Sequence, residues 1–495
     1  MVEWILFPEG AVMHTMREFI SLLEEKKDIL HVTKPVSGEE VAALIWELNE
    51  RKGPALWCEH VNDSSVPLVA NLLGSFERVA LALGLPAGAP PREIRNHYAE
   101  IMEDRSRWLT PVMVKTGPCK DAIYKGGEVN LFHLPLFKWA PGDGGPYITL
   151  NGTVSKDPEL GRNVGMYRVH VINKNTTGIM ALSMQDIGIH LARAKQRGED
   201  YLEVAVVIGM SPAVYFAATT KMAAVTEDEY ALAGGLQGHP VELVRCETIN
   251  VDVPADSEIV IEGRLYHTEP LQEGPYGEWM GYYEESMITP TFHVTCITHR
   301  KDPLYTTGSM GHQYGEGEVF RYLPIQANLY NVLKRSVIGF RDVYLPLQGR
   351  GYKAVVQIKK RYPGWGKQAI YAAFSAGYIN SSVNWVTIVD EDIDIYDLNQ
   401  VYFAEATRVD PELDVVVLPV QGVYPLNPAA RDRYEAKDLG HESGFTEFAW
   451  CSKIGIDATR KYVDEHRRAT PDRVIPDIET LHKVRENWDT YFKKR

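Results

Sequence analysis

The amino-acid sequence predicts an α/β protein of several domains: an N-terminal α/β domain, a central β-rich domain and a C-terminal α/β domain that carries a terminal helix. The chain has 495 residues, which is too long for a single hydrophobic core. Helical periodicity fills the first third, short β-branched segments fill the middle, and helices mixed with strands fill the rest. These changes of pattern place the predicted domains at residues 1–116, 117–318 and 319–495.

Helix-start signals define the N-terminal domain. Thr15 and Glu18 form a capping-box pattern ahead of apolar residues at helical spacing, and Ser37 and Glu40 repeat that pattern. A third helix is predicted from about Phe76 to Leu83, because a glycine follows that segment.

Short strands define the central domain. Gly, Pro, Asn and Asp separate β-branched segments at regular intervals, which predicts an antiparallel sheet or a barrel. One helix, from about Ile187 to Arg197, interrupts the strands. The predicted strands are Tyr147–Leu150, Arg168–Ile172, Val204–Ile208, Val241–Val244, Glu258–Glu262 and Phe292–Thr298.

The C-terminal domain mixes helices with strands at Ala354–Ile358 and Trp385–Val389. From Arg473 the tail is charged and helical, and it carries Trp488 and Tyr491. Aromatic side chains such as these are expected to be buried against another surface. A partner subunit would supply it in a homodimer, and docking on the helix's own domain is the alternative.

Charge and cysteine usage exclude several classes of protein. The net charge of −14 argues against nucleic acid as a general partner. The five cysteines are scattered and form no C-x-x-C pair, so neither a disulfide framework nor a cysteine zinc site is expected. Residues 1–10 lack the basic start of a signal peptide, and no stretch resembles a membrane span. A cytoplasmic protein is predicted.

The most informative segment is the sequence from Glu273 to Glu278, in which a Gly-Pro-x-Gly turn separates two carboxylates. Such a turn can direct both side chains into one pocket. Two close carboxylates repel each other, so the pKa of one rises and that group can act as a general acid. The alternative is a Gly-Pro loop with two solvated glutamates.

Three further segments offer polar groups. Arg168 stands at the start of a strand, five residues after Asn163, and could bind a carboxylate with two parallel hydrogen bonds. Glu229 lies in an acidic turn that could supply a ligand to a hard cation. Gln185 and Asp186 precede the interrupting helix. The alternatives are a surface salt bridge, a solvated loop and a helix cap.

In order and spacing these segments together resemble the UbiD decarboxylase family, which includes ferulic acid decarboxylase. The matches are Asn163 with Arg168, Gln185-Asp186 where the family has Gln-His, Glu229 before an Ala-Gly pair, and Glu273 to Glu278 with tyrosine in place of phenylalanine. The resemblance covers nearly the whole chain.

The resemblance implies a central split β-barrel that binds prenylated flavin mononucleotide (prenylated FMN). It also implies a divalent metal, Mn²⁺ or Mg²⁺, bound by Asn163, Asp186 and Glu229, with K⁺ nearby. Asp186 departs from the family's histidine, but aspartate is a hard oxygen donor that suits either metal.

The family's catalytic network maps to Glu273, Arg168 and Glu278, with Glu278 as the proton donor. Arg168 would hold the substrate carboxylate, and Glu273 would hold Arg168. A lysine for the cofactor phosphate could be Lys221 or Lys367, and His312 could contact substrate or cofactor, although a surface-loop histidine is equally expected. The implied cofactor-binding residues are Asn163, Met166, Tyr167, Arg168, Gln185, Met222 and Glu229.

The implied activity is reversible, non-oxidative decarboxylation of an aromatic, heteroaromatic or α,β-unsaturated acid through a covalent adduct with the cofactor. A flavin prenyltransferase would supply that cofactor. The alternatives are a flavin reductase on a similar barrel and a non-catalytic flavin-binding subunit. A dinucleotide-binding dehydrogenase is disfavoured, because no G-x-G-x-x-G joins a strand to a helix. The substrate and the direction of the reaction stay open.

Overall fold

The computed structural model describes residues 12–222, 224–312, 314–376, 382–424, 426–435, 447–463 and 468–492. The prediction that residues 1–10 carry no signal peptide lies outside these ranges.

The helices of the described residues are numbered in chain order. They are α1 (Met16–Glu25), α2 (Gly38–Glu50), α3 (Phe76–Ala82), α4 (Pro91–Glu103), α5 (Asp186–Gln196), α6 (Pro212–Ala218), α7 (Glu229–Gln237), α8 (Glu316–Ser336), α9 (Trp365–Phe374), α10 (Leu398–Arg408), α11 (Pro411–Asp414) and α12 (Ile478–Glu486).

The strands are numbered in the same way. They are β1 (Ile29–Val32), β2 (Ala55–Cys58), β3 (Leu68–Ala70), β4 (Val112–Met113), β5 (Ala122–Lys125), β6 (Tyr147–Ile148), β7 (Gly152–Asp157), β8 (Gly161–Gly165), β9 (Val169–Asn173), β10 (Thr176–Ile179), β11 (Tyr201–Ile208), β12 (Glu242–Arg245), β13 (Asp252–Pro254), β14 (Ile259–Glu273), β15 (Tyr276–Gly277), β16 (Tyr283–Glu284), β17 (Met287–His299), β18 (Tyr305–Thr307), β19 (Phe340–Tyr344), β20 (Lys353–Ile358), β21 (Trp385–Asp390), β22 (Val415–Val423), β23 (Arg431–Glu435) and β24 (Glu447–Asp457).

Both predicted capping boxes are confirmed. The Thr15 hydroxyl accepts the backbone N–H of Glu18 at 3.1 Å, and the Glu18 carboxylate accepts the N–H of Thr15 at 3.3 Å. Ser37 and Glu40 make the same reciprocal contacts at 3.2 and 2.8 Å. These bonds satisfy N–H groups that a helix start leaves without intrahelical partners.

The N-terminal sheet includes strand β18, which comes after the last strand of the central sheet in the chain. Its order is β1-β2-β3-β18, and Tyr305 to Thr307 of β18 pair in parallel with Leu68 to Ala70 of β3. In the other direction, β4 pairs with β12. Each of the first two predicted domains therefore contributes a strand to a sheet of the other. The boundaries of these domains stay predictions.

The central domain is built on an antiparallel sheet. Among the described residues it has nine strands, in the order β6-β9-β10-β17-β14-β11-β7-β8, with β5 on the outer part of β17. The long strands β14 and β17 form its spine. Each predicted strand segment overlaps an observed strand, although Val241–Val244 belongs to a separate small sheet. The sheet's described ends do not pair, so the split barrel stays a prediction.

The C-terminal domain has a mixed sheet in the order β19-β20-β21-β24-β22, with β23 beside β24. Strands β20 and β21, which the sequence predicted, lie parallel in its centre. Helices α8 and α9 pack against it through an apolar cluster that includes Leu329, Ile370 and Ile388. The prediction of a mixed α/β domain is confirmed.

Two helices of the central domain were not predicted, α6 and α7. Every residue of α6 is buried, and most of α7 is buried as well. A helix covered on all sides has no polar face, so its sequence lacks the amphipathic period that identifies a surface helix. Glu229, expected in a turn, is the first residue of α7, and Asp228 caps that helix.

The terminal segment lies uncovered on its own chain. Helix α12 has no buried residue, and Trp488 and Tyr491 are 57% and 54% exposed. The alternative that this helix docks on its own domain is therefore wrong.

All five cysteines fall within the described residues, are buried and form no disulfide. No described helix has the length and apolar character needed to cross a membrane.

Candidate active site

A cavity of about 240 Å³ lies between the central sheet and the C-terminal domain. Helix N-termini, loops and strand ends from both domains form its wall. The lining residues include Thr149, Asn163, Val164, Gly165, Met166, Tyr167, Arg168, Met180, Gln185, Asp186, Lys221, Glu229, Tyr276, Glu278, Trp279, Met310, Arg321, Ile325, Ser382, Tyr424 and Leu426. Most candidate residues of the sequence therefore meet at one site.

The Arg168 guanidinium lies between two buried glutamates. Its Nε donates to Oε1 of Glu273 at 3.0 Å and its Nη2 donates to Oε2 at 2.6 Å, which makes a bidentate pair. Its Nη1 donates to Oε1 of Glu278 at 2.5 Å. Only Arg168 and Glu278 reach the cavity wall; Glu273 lies behind them.

Strand ends position this network. Arg168 directly precedes β9, Glu273 ends β14, and Glu278 follows β15. The Tyr147 hydroxyl donates to Oε1 of Glu273 at 2.8 Å, and the backbone N–H of Trp279 donates to Oε2 of Glu278 at 3.1 Å. Each carboxylate therefore has a second donor besides the guanidinium.

The charges of the network shift two pKa values. Burial opposes a charge on Arg168, but the carboxylates of Glu278 and Glu273 outweigh it and raise the pKa of the guanidinium. Burial, and then the charge of Glu273, raises the pKa of the Tyr147 phenol. Arg168 therefore stays a cation and Tyr147 stays a neutral donor.

A second polar group faces the same cavity. Asp186 is the first residue of α5, Glu229 is the first residue of α7, and Asn163 lies on β8, all on the cavity wall. The ammonium of Lys221 forms an ion pair with Oδ1 of Asp186. Burial raises the pKa of Glu229 well above its usual value. No group of three His, Cys, Asp or Glu with metal-site geometry occurs among the described residues, and this set holds only two such residues.

Known protein families match the chain in three consecutive segments. The models are the N-terminal, Rift-related and C-terminal domains of 3-octaprenyl-4-hydroxybenzoate carboxy-lyase, which match residues 20–97, 111–313 and 318–458. The first and third segments flank the domain that holds the glutamate–arginine network.

Similar proteins extend over nearly the whole chain. An uncharacterised protein of Archaeoglobus fulgidus is 32% identical, over 96% of this chain and 98% of its own length. The UbiD-class enzyme HmfF of Pelotomaculum thermopropionicum, solved with FMN, is 31% identical over 95% of this chain and 100% of its own, with a TM-score of 0.80. Vanillic acid decarboxylase of Sedimentibacter hydroxybenzoicus, in closed form, is 28% identical over 97% and 100%, with a TM-score of 0.84.

The chain belongs to the UbiD family. The family and its structural neighbours are carboxy-lyases, so this UbiD protein is a decarboxylase-type enzyme. A dimeric form of HmfF solved with prenylated FMN is 30% identical over 94% of this chain and 98% of its own, with a TM-score of 0.79. The resemblance noted from the sequence is confirmed at the level of the family, and the HmfF structures bind FMN or prenylated FMN.

The structure sorts the cofactor-binding candidates of this UbiD chain into two groups. Six of the seven line the cavity, and Met222 does not. Met222 is buried in a large apolar cluster, where its thioether side chain packs as a core residue. The six that line the cavity are Asn163, Met166, Tyr167, Arg168, Gln185 and Glu229.

One further expectation is corrected. His312 does not reach the cavity or the surface, because it is buried and its Nε2 lies 2.9 Å from Oε1 of Glu50. Arg168 uses three of its five N–H groups on Glu273 and Glu278, and its contact with a substrate carboxylate stays a prediction. Of the two lysine candidates, Lys221 lines the cavity and Lys367 lies away from it on α9.

Sequence reasoning missed Trp279, Arg321 and Tyr424. Trp279 follows Glu278 directly, so its adjacency to the predicted proton donor was an available signal. Arg321 lies in the second turn of α8, and Tyr424 comes from the end of β22. Neither carries a local motif, and only the packing of the C-terminal domain brings them to the wall.

Two more buried carboxyls stand at the start of α8. Burial raises the pKa of Glu316 and of Glu318 to about 7. Backbone N–H of Leu73 donates to Glu316 at 2.6 Å. The charges of Arg321 and Arg350 and the hydroxyl of Tyr322 act on Glu318, and Arg350 Nη1 lies 4.0 Å from its Oε1.

The Glu318 carboxyl makes stability depend on pH. Its pKa of about 7, against an ordinary 4.5, means that the folded protein keeps a proton that the unfolded chain releases. The free energy of unfolding therefore falls as pH rises from 4.5 to 7. The free energy of unfolding of Glu318→Gln should exceed that of wild type by up to about 3 kcal/mol at pH 8 and match it near pH 4.5.

Thermal and urea unfolding at pH 5 and pH 8 measure this difference. Arg321, Arg350 and Tyr322 lower the pKa of Glu318, and Glu278 raises it, so all four keep their wild-type identity in the test. Exposed Glu47→Gln serves as the control. An equal shift of Glu318→Gln at both pH values would contradict the prediction.

Proposed function

We propose that this UbiD protein catalyses the reversible, non-oxidative decarboxylation of an aromatic, heteroaromatic or α,β-unsaturated carboxylic acid with prenylated FMN. The observation that carries the proposal is the buried chain Glu273–Arg168–Glu278, which opens onto the cavity at Glu278. A flavin reductase or a non-catalytic flavin-binding subunit would have no use for a carboxyl held in this way.

The cavity wall suits a flavin with its phosphate. Bound prenylated FMN would supply the electron sink that loss of CO₂ from an unsaturated carbon requires. Asn163, Asp186 and Glu229 offer oxygen donors that suit Mn²⁺ or Mg²⁺, and K⁺ is proposed nearby. Lys221, the lysine on the wall, is proposed to face the phosphate. The helix N-termini of α5 and α7 favour an anion at the same place.

Glu278 is the proposed proton donor. Glu273 accepts two hydrogen bonds from Arg168 and one from Tyr147, and it lies behind the cavity wall. Glu278 accepts one bond from Arg168 and one from the backbone N–H of Trp279, and it faces the cavity. A proton on Glu278 can therefore reach the substrate carbon, while Glu273 fixes the guanidinium that orients it.

The proposed activity is tested by supplying the cofactor. Protein co-expressed with a flavin prenyltransferase should release prenylated FMN on denaturation, as mass spectrometry detects, and should decarboxylate at least one acid in a panel of heteroaromatic, phenolic and acrylic acids. The same protein with FMN alone should be inactive on that panel. Decarboxylation with FMN alone, or nicotinamide-dependent flavin reduction without decarboxylation, would reject the proposal.

Replacing the proton donor separates chemistry from binding. Glu278→Gln keeps the size and hydrogen bonding of the side chain but removes its proton, so turnover should fall by about 100-fold or more while flavin binding stays normal. Hydrogen–deuterium exchange at the product's reacting carbon should fall in parallel. Glu269→Gln, an exposed glutamate of β14 outside the cavity, is the matched control. Near-normal exchange in Glu278→Gln would point to another acid.

Metal dependence tests the oxygen-donor set. Glu229→Ala should lower the flavin occupancy of purified protein, because it would remove one of the three proposed ligands of the metal ion. A chelator should release flavin from wild type, and Mn²⁺ or Mg²⁺ should restore it better than Zn²⁺. Absorbance of retained flavin measures both effects. Glu227→Ala, two residues before Glu229 and outside the cavity, is the control, and equal occupancy in both variants would remove Glu229 from the site.

The uncovered terminal helix suggests a homodimer. We propose that α12 and the aromatic residues after it pack on a second copy, since no residue of α12 is buried by its own chain. Deleting the chain beyond Pro476 should convert the protein to a monomer at micromolar concentration, as light scattering after gel filtration measures. Phe132→Ala, an equally exposed aromatic of the central domain, should leave the dimer intact. A monomeric full-length protein would contradict the proposed homodimer.

The cytoplasm stays the proposed location.

A further inference from the structure

We infer that Arg321 binds a second, non-reacting carboxylate of the substrate, so that the enzyme prefers dicarboxylic acids. The inference rests on the proposed function for the identity of the reacting group. The inference is based on the guanidinium of Arg321, which lies on the cavity wall and takes no part in the catalytic network.

Arg321 lies beside the proposed proton donor. Its guanidinium carbon is 3.8 Å from the centroid of the Trp279 ring, and Trp279 directly follows Glu278 in the chain. All three residues line the cavity. A planar acid that places its reacting carbon at Glu278 therefore has a cation within the same enclosed space.

The Arg321 guanidinium still has donors to offer. Its Nη1 is buried and has no hydrogen-bond partner among the described residues. Arg168, by contrast, is already bound to Glu273 and Glu278. Because buried donors in native proteins are nearly always satisfied, an unpaired guanidinium nitrogen on a cavity wall indicates a ligand acceptor.

The surroundings of Arg321 leave a surplus of positive charge. Glu318 is the fully buried carboxyl nearby, and two guanidinium groups, Arg321 and Arg350, act on it. Arg350 donates to the carbonyl oxygens of Trp279 at 3.2 Å and Gly311 at 2.8 Å, so backbone oxygens hold it in place. Glu278, which also acts on Glu318, is already paired with Arg168, so at most one further negative charge faces these two positive ones, and an anionic group would complete the cluster.

Aromatic packing gives this site a preferred ligand shape. The Trp279 ring has Tyr352 at 5.2 Å and Tyr424 at 6.4 Å between centroids, and Trp279 and Tyr424 line the cavity. Flat rings favour a planar unsaturated ligand. The site therefore suits an aromatic or conjugated acid with a carboxylate at its far end.

Arg321 suits the remote carboxylate better than the reacting one. The reacting group must lose its negative charge as CO₂ leaves, and a tight guanidinium pair would stabilise the starting acid more than the transition state. A remote carboxylate keeps its charge throughout, so its binding energy positions the ring without opposing the chemistry.

Binding of unreacted acids to FMN-loaded protein tests the inference independently of turnover. Isothermal titration would compare terephthalate, its monomethyl ester and benzoate, since the ester keeps the size of the diacid but loses the second charge. Wild type should bind terephthalate at least about tenfold more tightly than the ester, the scale of a charge-assisted pair. Equal binding of diacid and ester, or no measurable binding of terephthalate, would overturn the inference without any variant.

Variants then identify the residue. R321Q should remove the preference for the diacid and leave binding of benzoate unchanged, and R321K, which keeps the charge but loses the planar fork, should retain part of it. R335Q, an exposed arginine on the same helix, should behave as wild type. Equal loss for all three acids in R321Q would assign Arg321 to the reacting carboxylate and overturn the inference, and so would no loss. Failure to decarboxylate with prenylated FMN would reject the proposed function alone.

Discussion

The site depends on one buried ion network, in which the Arg168 guanidinium lies between the carboxylates of Glu273 and Glu278 and all three groups are shielded from water. Removing such groups from water costs several kcal/mol for each ion, and only near-ideal partners offset that cost. Arg168 meets this condition with three N–H donors aimed at Glu273 and Glu278. Strand β14 must therefore end, and β9 must begin, at one place. A shift in the register of the central sheet would therefore separate Arg168 from Glu273.

The network is asymmetric, and the asymmetry separates the roles of its members. With both glutamates ionised and Arg168 charged, the trio would carry one net negative charge and repel an incoming acid. The proton that we propose for Glu278 would make the trio neutral before the acid binds. Glu273 is the poorer place for that proton, because the fork of Arg168 and the hydroxyl of Tyr147 all require an acceptor there.

Sequence reasoning succeeded where the information is local. The capping boxes at Thr15 and Ser37, the short β-branched strands and the turn from Glu273 to Glu278 each carry their signal within a few residues. It failed where burial is complete or contacts are distant. Helix α6 has no polar face to reveal it, and Met222 and His312 gave no sign that their partners would be core side chains and Glu50. Nothing near Arg321 predicts that folding brings it to Trp279.

The chain carries a net charge of −14, yet its proposed cofactor and substrate are anions. Surface charges are screened by salt over about 10 Å, whereas charges on the wall of a closed cavity are screened far less. What an anion experiences inside is therefore set by Arg168, Lys221 and Arg321. Arg168 and Lys221 are each held by a carboxylate, so they are positioned but largely neutralised. Arg321 has no such hydrogen-bonded carboxylate among the described residues, which makes it the cation on this wall with the most attraction left for a ligand.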